Sequence, residues 1–292
     1  MMTQAKKRRR GPSKIYKLEF FHRPGDTLDD VELAALVARM RAIAAECFEE
    51  IPEYQALTGA REHLSNQIIT VARRPDGTIG AFCSALLLEV RGVSPVLHLG
   101  LTCVHPEDRA QSLTHKLLSH MLTRFLVRFH PFGKVWISNC ACVLSSIGNV
   151  ALSFDDVYPS PYNPEPPSRA HLKIARAISE RYRDEIYIND DALFDERAFV
   201  MRGSVYGTVF QKHADDECYH HRNEDLNDWY QRLLLFEDGD EVLQIGCYSI
   251  ATVTRYLMPW SRPRIVVPTP PAPAVRRGHP PRGHYAGAER FA

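Results

Sequence analysis

The chain has 292 residues, 45% hydrophobic, 24% charged and 10% aromatic, which excludes a low-complexity or fibrous protein. Lys and Arg number 36 against 35 Asp and Glu, so a protein that coats nucleic acid through bulk positive charge is excluded as well, and no nucleic-acid partner is expected. No apolar run reaches about 18 residues and no apolar segment follows the basic start, so neither a membrane partner nor a secretory signal is expected. Seven cysteines set mostly among apolar residues read as free buried thiols of a reducing compartment. The cytoplasm is the expected location, with the nucleus as the alternative because Lys6 to Arg10 has the composition of a nuclear address.

Residues 1–14 are polar and basic, and residues 259–292 alternate proline, arginine and glycine, so both are expected to be flexible. A single domain over residues 15–258 lies between them, with an insertion around 159–200. Ile15 to Phe21 reads as a strand. Asp29 to Ile51 follows as a helix that puts Leu33, Leu36, Val37, Met40, Ile43, Ala44, Cys47 and Phe48 on one face, with Thr27 and Asp30 as its capping start. A polar helical stretch, Glu53 to Asn66, precedes two β-rich runs joined by Asp76-Gly77, which is hairpin chemistry. Val96 to Val104 reads as a third strand of this meander. Gln111 to Phe129 then reads as a long amphipathic helix, and Lys134 to Cys142 as a short apolar strand. The order β-α-α-β-β-β-α-β predicts an α/β fold with a mixed, largely antiparallel central sheet and helices on both faces. Ser204 to Phe210 is expected to supply a returning strand.

Leu97 to Leu118 carries the most chemistry. A strand ends at Val104, His105-Pro106 turns the chain, and a helix starts whose first amides, from Gln111, Ser112, Leu113 and Thr114, make an anion site. Together with the order of elements, these residues resemble the GNAT superfamily of N-acetyltransferases over Ile15 to Tyr158, about half the chain. Val104 and Pro106 resemble the family's strand exit, and Arg109 stands first in its phosphate loop. Ser112 and Thr114 fall where that loop has small residues, usually glycine.

The resemblance implies acetyl-CoA or another acyl-CoA as co-substrate and a small-molecule amine as acceptor. It implies that backbone groups from Leu101 to Cys103 polarise the thioester carbonyl, and that Asn149, in an N-x-x-A segment, touches the cofactor arm. His98 is placed like a strand histidine of arylalkylamine N-acetyltransferases and is the candidate base; its ordinary pKa near 6.5 leaves it mostly neutral at physiological pH. Tyr158 is the candidate acid for the leaving thiolate. Tyr158, Tyr162 and Trp136 are the expected walls of the acceptor pocket. The alternative is a catalytically degenerate member of the fold that binds acyl-CoA or a protein partner.

Two further motifs are set aside. Gly239 to Val253 resembles in part the glycine-rich loop of S-adenosylmethionine methyltransferases, but Tyr248 and Ile250 stand where its later glycines fall, so it reads as an apolar strand with one glycine. Cys140-x-Cys142 and Cys218-x-His220-His221 are set too close for the usual zinc spacing, and no metal is expected.

Overall fold

Alternating burial and tight turns build the first half of a nine-stranded sheet. A computed structural model describes residues 15–257, 265–267 and 270; the basic start and nearly all of the proline-rich tail lie outside the described residues. β1 (Lys17–His22) leads into the one-turn α1 (Pro24–Thr27) and then α2 (Asp30–Ala45). The α2 cap differs from the expected one. Asp29 accepts from the Glu32 amide while the Glu32 carboxylate bonds back to Asp29, a reciprocal capping box, and Thr27 instead closes α1 through the Arg23 carbonyl. The helix also stops at Ala45 rather than Ile51, because the amides of Cys47 and Phe48 both fold back on the Ala44 carbonyl.

The polar stretch after α2 is not one helix but two single turns, α3 (Gln55–Thr58) and α4 (Arg61–Leu64), separated by Gly59 at φ 81°. β2 (Gln67–Arg73), β3 (Ile79–Val90) and β4 (Val93–Val104) then form the expected meander, each antiparallel to the one before. α5 (Leu113–Phe129) crosses to β5 (Val135–Ala141), which pairs parallel to β4. α6 (Leu144–Ser153), β6 (Asp155–Tyr158), α7 (Arg169–Arg181), the short β7 (Leu193–Asp195) and β8 (Val200–Arg202), α8 (Glu224–Gln231), β9 (Glu241–Tyr248) and α9 (Ile250–Leu257) complete the described strands and α-helices. The sheet order is β1-β2-β3-β4-β5-β9-β8-β7, with β6 also paired to β9, and β4–β5 is its one parallel pair among the described residues.

The returning strand is therefore β9 and not Ser204 to Phe210, which forms turns around Gly203 and Gly207, both at positive φ. All eight β9 residues are buried, as suits a strand covered on both faces. On one face, α2 to α4 pack Leu36, Met40 and Leu57 on Ile69, Val71 and Phe82, and α7 packs Ile174 and Ile178 on Leu86, Val96 and Leu243. On the other, α5 packs Leu113, Leu117, Met121 and Phe125 on Ile68, Cys83, Leu97 and Ile137, as its spacing requires. α6 and α8 cover Ala141 and Val242 beside it. Phe48 and Tyr54, from the segment between α2 and α3, and Ile186 and Tyr187, after α7, line one cavity together with the first turns of α5 and α6.

Candidate active site

β4 and β5 are hydrogen-bonded only through Val96 with Trp136, Leu97 with Ile137 and His98 with Ser138. Both strands continue past that point, β4 to Val104 beside β3 and β5 to Ala141 beside β9, so the sheet forks at His98. Backbone amides and carbonyls along a forked edge have no strand partner and are open to a ligand. A cavity of about 1730 Å³ occupies the fork, lined by His98, Leu101, Val104, Arg109, Ser112, Thr114, Asn139 and Asn149 among others.

The floor of the fork is shaped by a bulge. Cys83 pairs with Thr102 and Ala85 with Leu99, so Gly100 and Leu101 together oppose the single residue Ser84. Gly100 makes room there: a Cβ would stand 2.7 Å from the Tyr54 hydroxyl and 2.9 Å from Ser84 Oγ, so those side chains would have to shift. Tyr54, from the polar stretch before α3, thus reaches the strand over the place where a side chain is missing. Burial, with the charge of Glu241 and an opposing Leu101 backbone bond, holds its phenol protonated.

The far end of the cleft is lined by the cradle of the loop between β4 and α5. The turn after β4 is fixed by the fully buried Asp108, which accepts from Arg74 Nε at 2.8 Å and from the Tyr16 hydroxyl at 2.6 Å. Ala110 and Ser112 both adopt left-handed backbone, at φ 68° and 57°, the conformation from which anion-binding nests are also built. α5 begins at Leu113, two residues later than expected, and Ser112 is its N-cap. The Ser112 hydroxyl makes no capping bond, so it remains available to a ligand at the cleft.

The sequence-derived residues divide accordingly. His98, Leu101, Val104, Arg109, Ser112, Thr114 and Asn149, the last on α6, are brought together around one cavity. Cys103 and Leu113 turn their side chains into the two cores on opposite sheet faces, so only their backbone can serve. Gln111 lies outside the cavity lining. Tyr158 ends β6 with its ring 4.7 Å from Phe199 and packed against the α7 core, apart from that lining; β6 pairs with β9 and carries the side chain away from the fork. Tyr162 lines the cavity, whereas Trp136 is core.

His98 is 3% exposed, with Nδ1 3.0 Å from Ser138 Oγ, and burial pulls its pKa down to about 4. It is therefore neutral at physiological pH and a weaker base than a free imidazole. Cys47, at the other end of α2, is a residue the sequence reading missed. Its thiol is held down to about 6 by a hydrogen bond from Cys103, with Val104 and the Arg109 guanidinium adding to the effect against burial. Glu241 and Phe210 were missed too. Glu241 is the acidic residue opening an apolar strand, a visible signal, whereas nothing in sequence announces that Phe210 meets Phe48, Tyr54 and Tyr187 edge-on at 5.7, 6.3 and 5.1 Å.

No family model matches the chain, and no curated protein matches it. Solved structures give partial likenesses. An acyl-CoA N-acyltransferase from Pseudomonas aeruginosa is 22% identical, over 49% of this chain and 91% of that one, with a TM-score of 0.35. An aminoglycoside acetyltransferase from an uncultured soil metagenomic sample is 18% identical over 42% and 76%, with a TM-score of 0.29. AAC(6')-Iy in complex with a bisubstrate analog is 16% identical over 49% and 92%, at 0.35. The fold class rests on the sheet itself. It is a mixed, largely antiparallel sheet with helices on both faces, forked between its one parallel pair.

Proposed function

We propose that the chain is an acyl-CoA-dependent N-acyltransferase, transferring acetyl to a small-molecule amine by direct attack in a ternary complex. The observation that carries this reading is the fork between β4 and β5 with the Arg109–Ser112 cradle at one end of the same cavity. The open β4 edge at Leu99 to Cys103 offers amides to a thioester carbonyl, the cradle and Arg109 accept the cofactor's phosphates, and Asn149 flanks its arm. Acyl transfer by this route is mainly a matter of holding amine and thioester in line and removing one proton. His98, neutral and hydrogen-bonded to Ser138 at the vertex, is the proton acceptor or relay nearest the forked edge. The acid role expected of Tyr158 passes to Tyr54, whose protonated hydroxyl meets the strand at Gly100.

The degenerate-fold reading is favoured by one observation: Ser112 and Thr114 put side chains on the cavity wall at the cradle. Thiol release from acetyl-CoA over a panel of amines separates the two. Turnover that falls at least tenfold in His98→Ala, with CoA binding retained, is expected of the enzyme; CoA binding without turnover on any amine supports the degenerate reading.

A further inference from the structure

The fold supplies an arginine for each of two buried aspartates. Asp108 has Arg74, and Asp240 has Arg202 at 2.6 Å. Glu241, the very next residue, is 8% exposed and no Lys, Arg or His bridges it among the described residues. Its Oε2 accepts from Ser204 Oγ at 2.6 Å and from Cys140 Sγ at 3.5 Å, while Oε1 accepts no hydrogen bond from any described residue. A buried carboxylate without a cation is unfavourable unless something else brings the charge.

The carboxylate faces the cavity. Along β5 and β9 the residues alternate, which sets Ser138, Cys140 and Glu241 on the face that also carries His98 and the α7 core. Tyr54, Cys140 and Cys142 are the titratable groups that sense its charge. Around the same space stands the ring cluster of Phe48, Tyr54, Tyr187 and Phe210. A carboxylate and a ring cluster that line one cavity, with Tyr54 sensing the Glu241 charge, are the complement of an organic ammonium ion: the charge pairs with the carboxylate and the apolar body lies on the rings. A neutral ligand leaves the charge unmatched, and an anionic one is repelled.

We propose that Glu241 is the cation subsite of the acceptor pocket, binding the ammonium head of a primary amine through Oε1 and receiving the proton that the amine must lose. The binding half stands on the cavity alone; the proton half deepens the acyltransferase reading and rests on it. One proton of the bound R–NH3+ passes to the carboxylate. The freed lone pair forms the C–N bond at the thioester carbonyl carbon, the C–S bond breaks with its electrons on sulfur, Tyr54 gives its proton to the thiolate, and the second N–H proton, relayed by His98, restores the Tyr54 phenol. Amide and CoA thiol result, and Glu241 returns its proton to water. Burial, which raises the Glu241 carboxyl above its ordinary range, suits it to hold that proton briefly.

The test titrates 2-phenylethylamine, 2-phenylethanol and 3-phenylpropionate calorimetrically into the full chain at pH 7, with CoA thermal shifts run in parallel. The wild type is expected to bind the ammonium at least tenfold more tightly than the alcohol and to reject the carboxylate. Glu241→Gln is expected to lose that discrimination while keeping its melting transition, and Glu241→Asp, which keeps the charge, to retain part of it. Equal binding of ammonium and alcohol by the wild type, or an undiminished preference in Glu241→Gln, overturns the assignment. An ammonium preference without any CoA shift leaves the cation subsite standing and removes the acyltransferase reading.

Discussion

Burial of His98 makes a quantitative prediction about stability. Its imidazole is enclosed at the fork, its pKa lowered to about 4 by desolvation, whereas the unfolded chain titrates near 6.5. A depressed folded pKa means that protonation favours the unfolded state, so the contribution is fully present above pH 6.5 and is lost as pH falls toward 4. At pH 5 that loss is about 2 kcal/mol, equivalent to a melting shift of roughly 4–8 °C in a chain of this size. The assay is urea denaturation of wild type and His98→Asn at pH 7.5 and pH 5. His22, His115, His120, His130 and His171 also have lowered pKa values, but they titrate in both proteins and drop out of the difference. The wild type should lose about 2 kcal/mol more than the variant on acidification. Parallel losses would refute the claim that burial at the fork holds His98 neutral.

Other predictions follow from the same geometry. Glu241→Gln should be more stable than the wild type at pH 8, because the wild type's raised carboxyl loses stability as pH rises through and above its ordinary range; denaturation midpoints at pH 5 and 8 check the sign. Ser112→Gly removes a left-handed strain of about 1 kcal/mol and should raise the melting temperature without loss of CoA affinity, whereas Ser112→Val should lower both. Asp108→Ala strands Arg74 and loosens the turn into the cradle, costing about 3–5 kcal/mol by denaturation. Cys47 should alkylate with iodoacetamide at a rate that rises through pH 6 rather than pH 8 to 9, with CoA slowing the reaction, as followed by mass spectrometry.

Much of the framework was legible because it is local. The spacing of Leu113, Leu117, Met121 and Phe125 defined α5, and Asp76-Gly77 defined the hairpin, since periodicity and turn chemistry act over a few residues. The loop from Arg109 to Thr114 was legible as the turn into α5 for the same reason, being contiguous. The other wall of the cleft was not. Tyr54 reaches Gly100 only because a bulge in β4 opens room for it, and Glu241 meets Cys140 only because β9 returns beside β5 across 101 residues of chain. Ser204 to Phe210 has the apolar content of a strand, yet Gly203 and Gly207 at positive φ curl it into turns and leave the central position to β9. Tyr158 follows the Asn149 segment in sequence at a longer spacing than the resemblance expects, and β6, paired with β9, carries its ring into the α7 core.

The central claim is that the forked cleft binds an acyl-CoA with its phosphates on the Arg109–Ser112 cradle. Thermal unfolding with and without acetyl-CoA, on wild type and Arg109→Glu, tests it most directly. At a hundredfold excess over the dissociation constant the folded wild type should gain about 2.7 kcal/mol, seen as a clear rise in melting temperature that the variant lacks. No rise in the wild type, or an equal rise in both proteins, would contradict the claim.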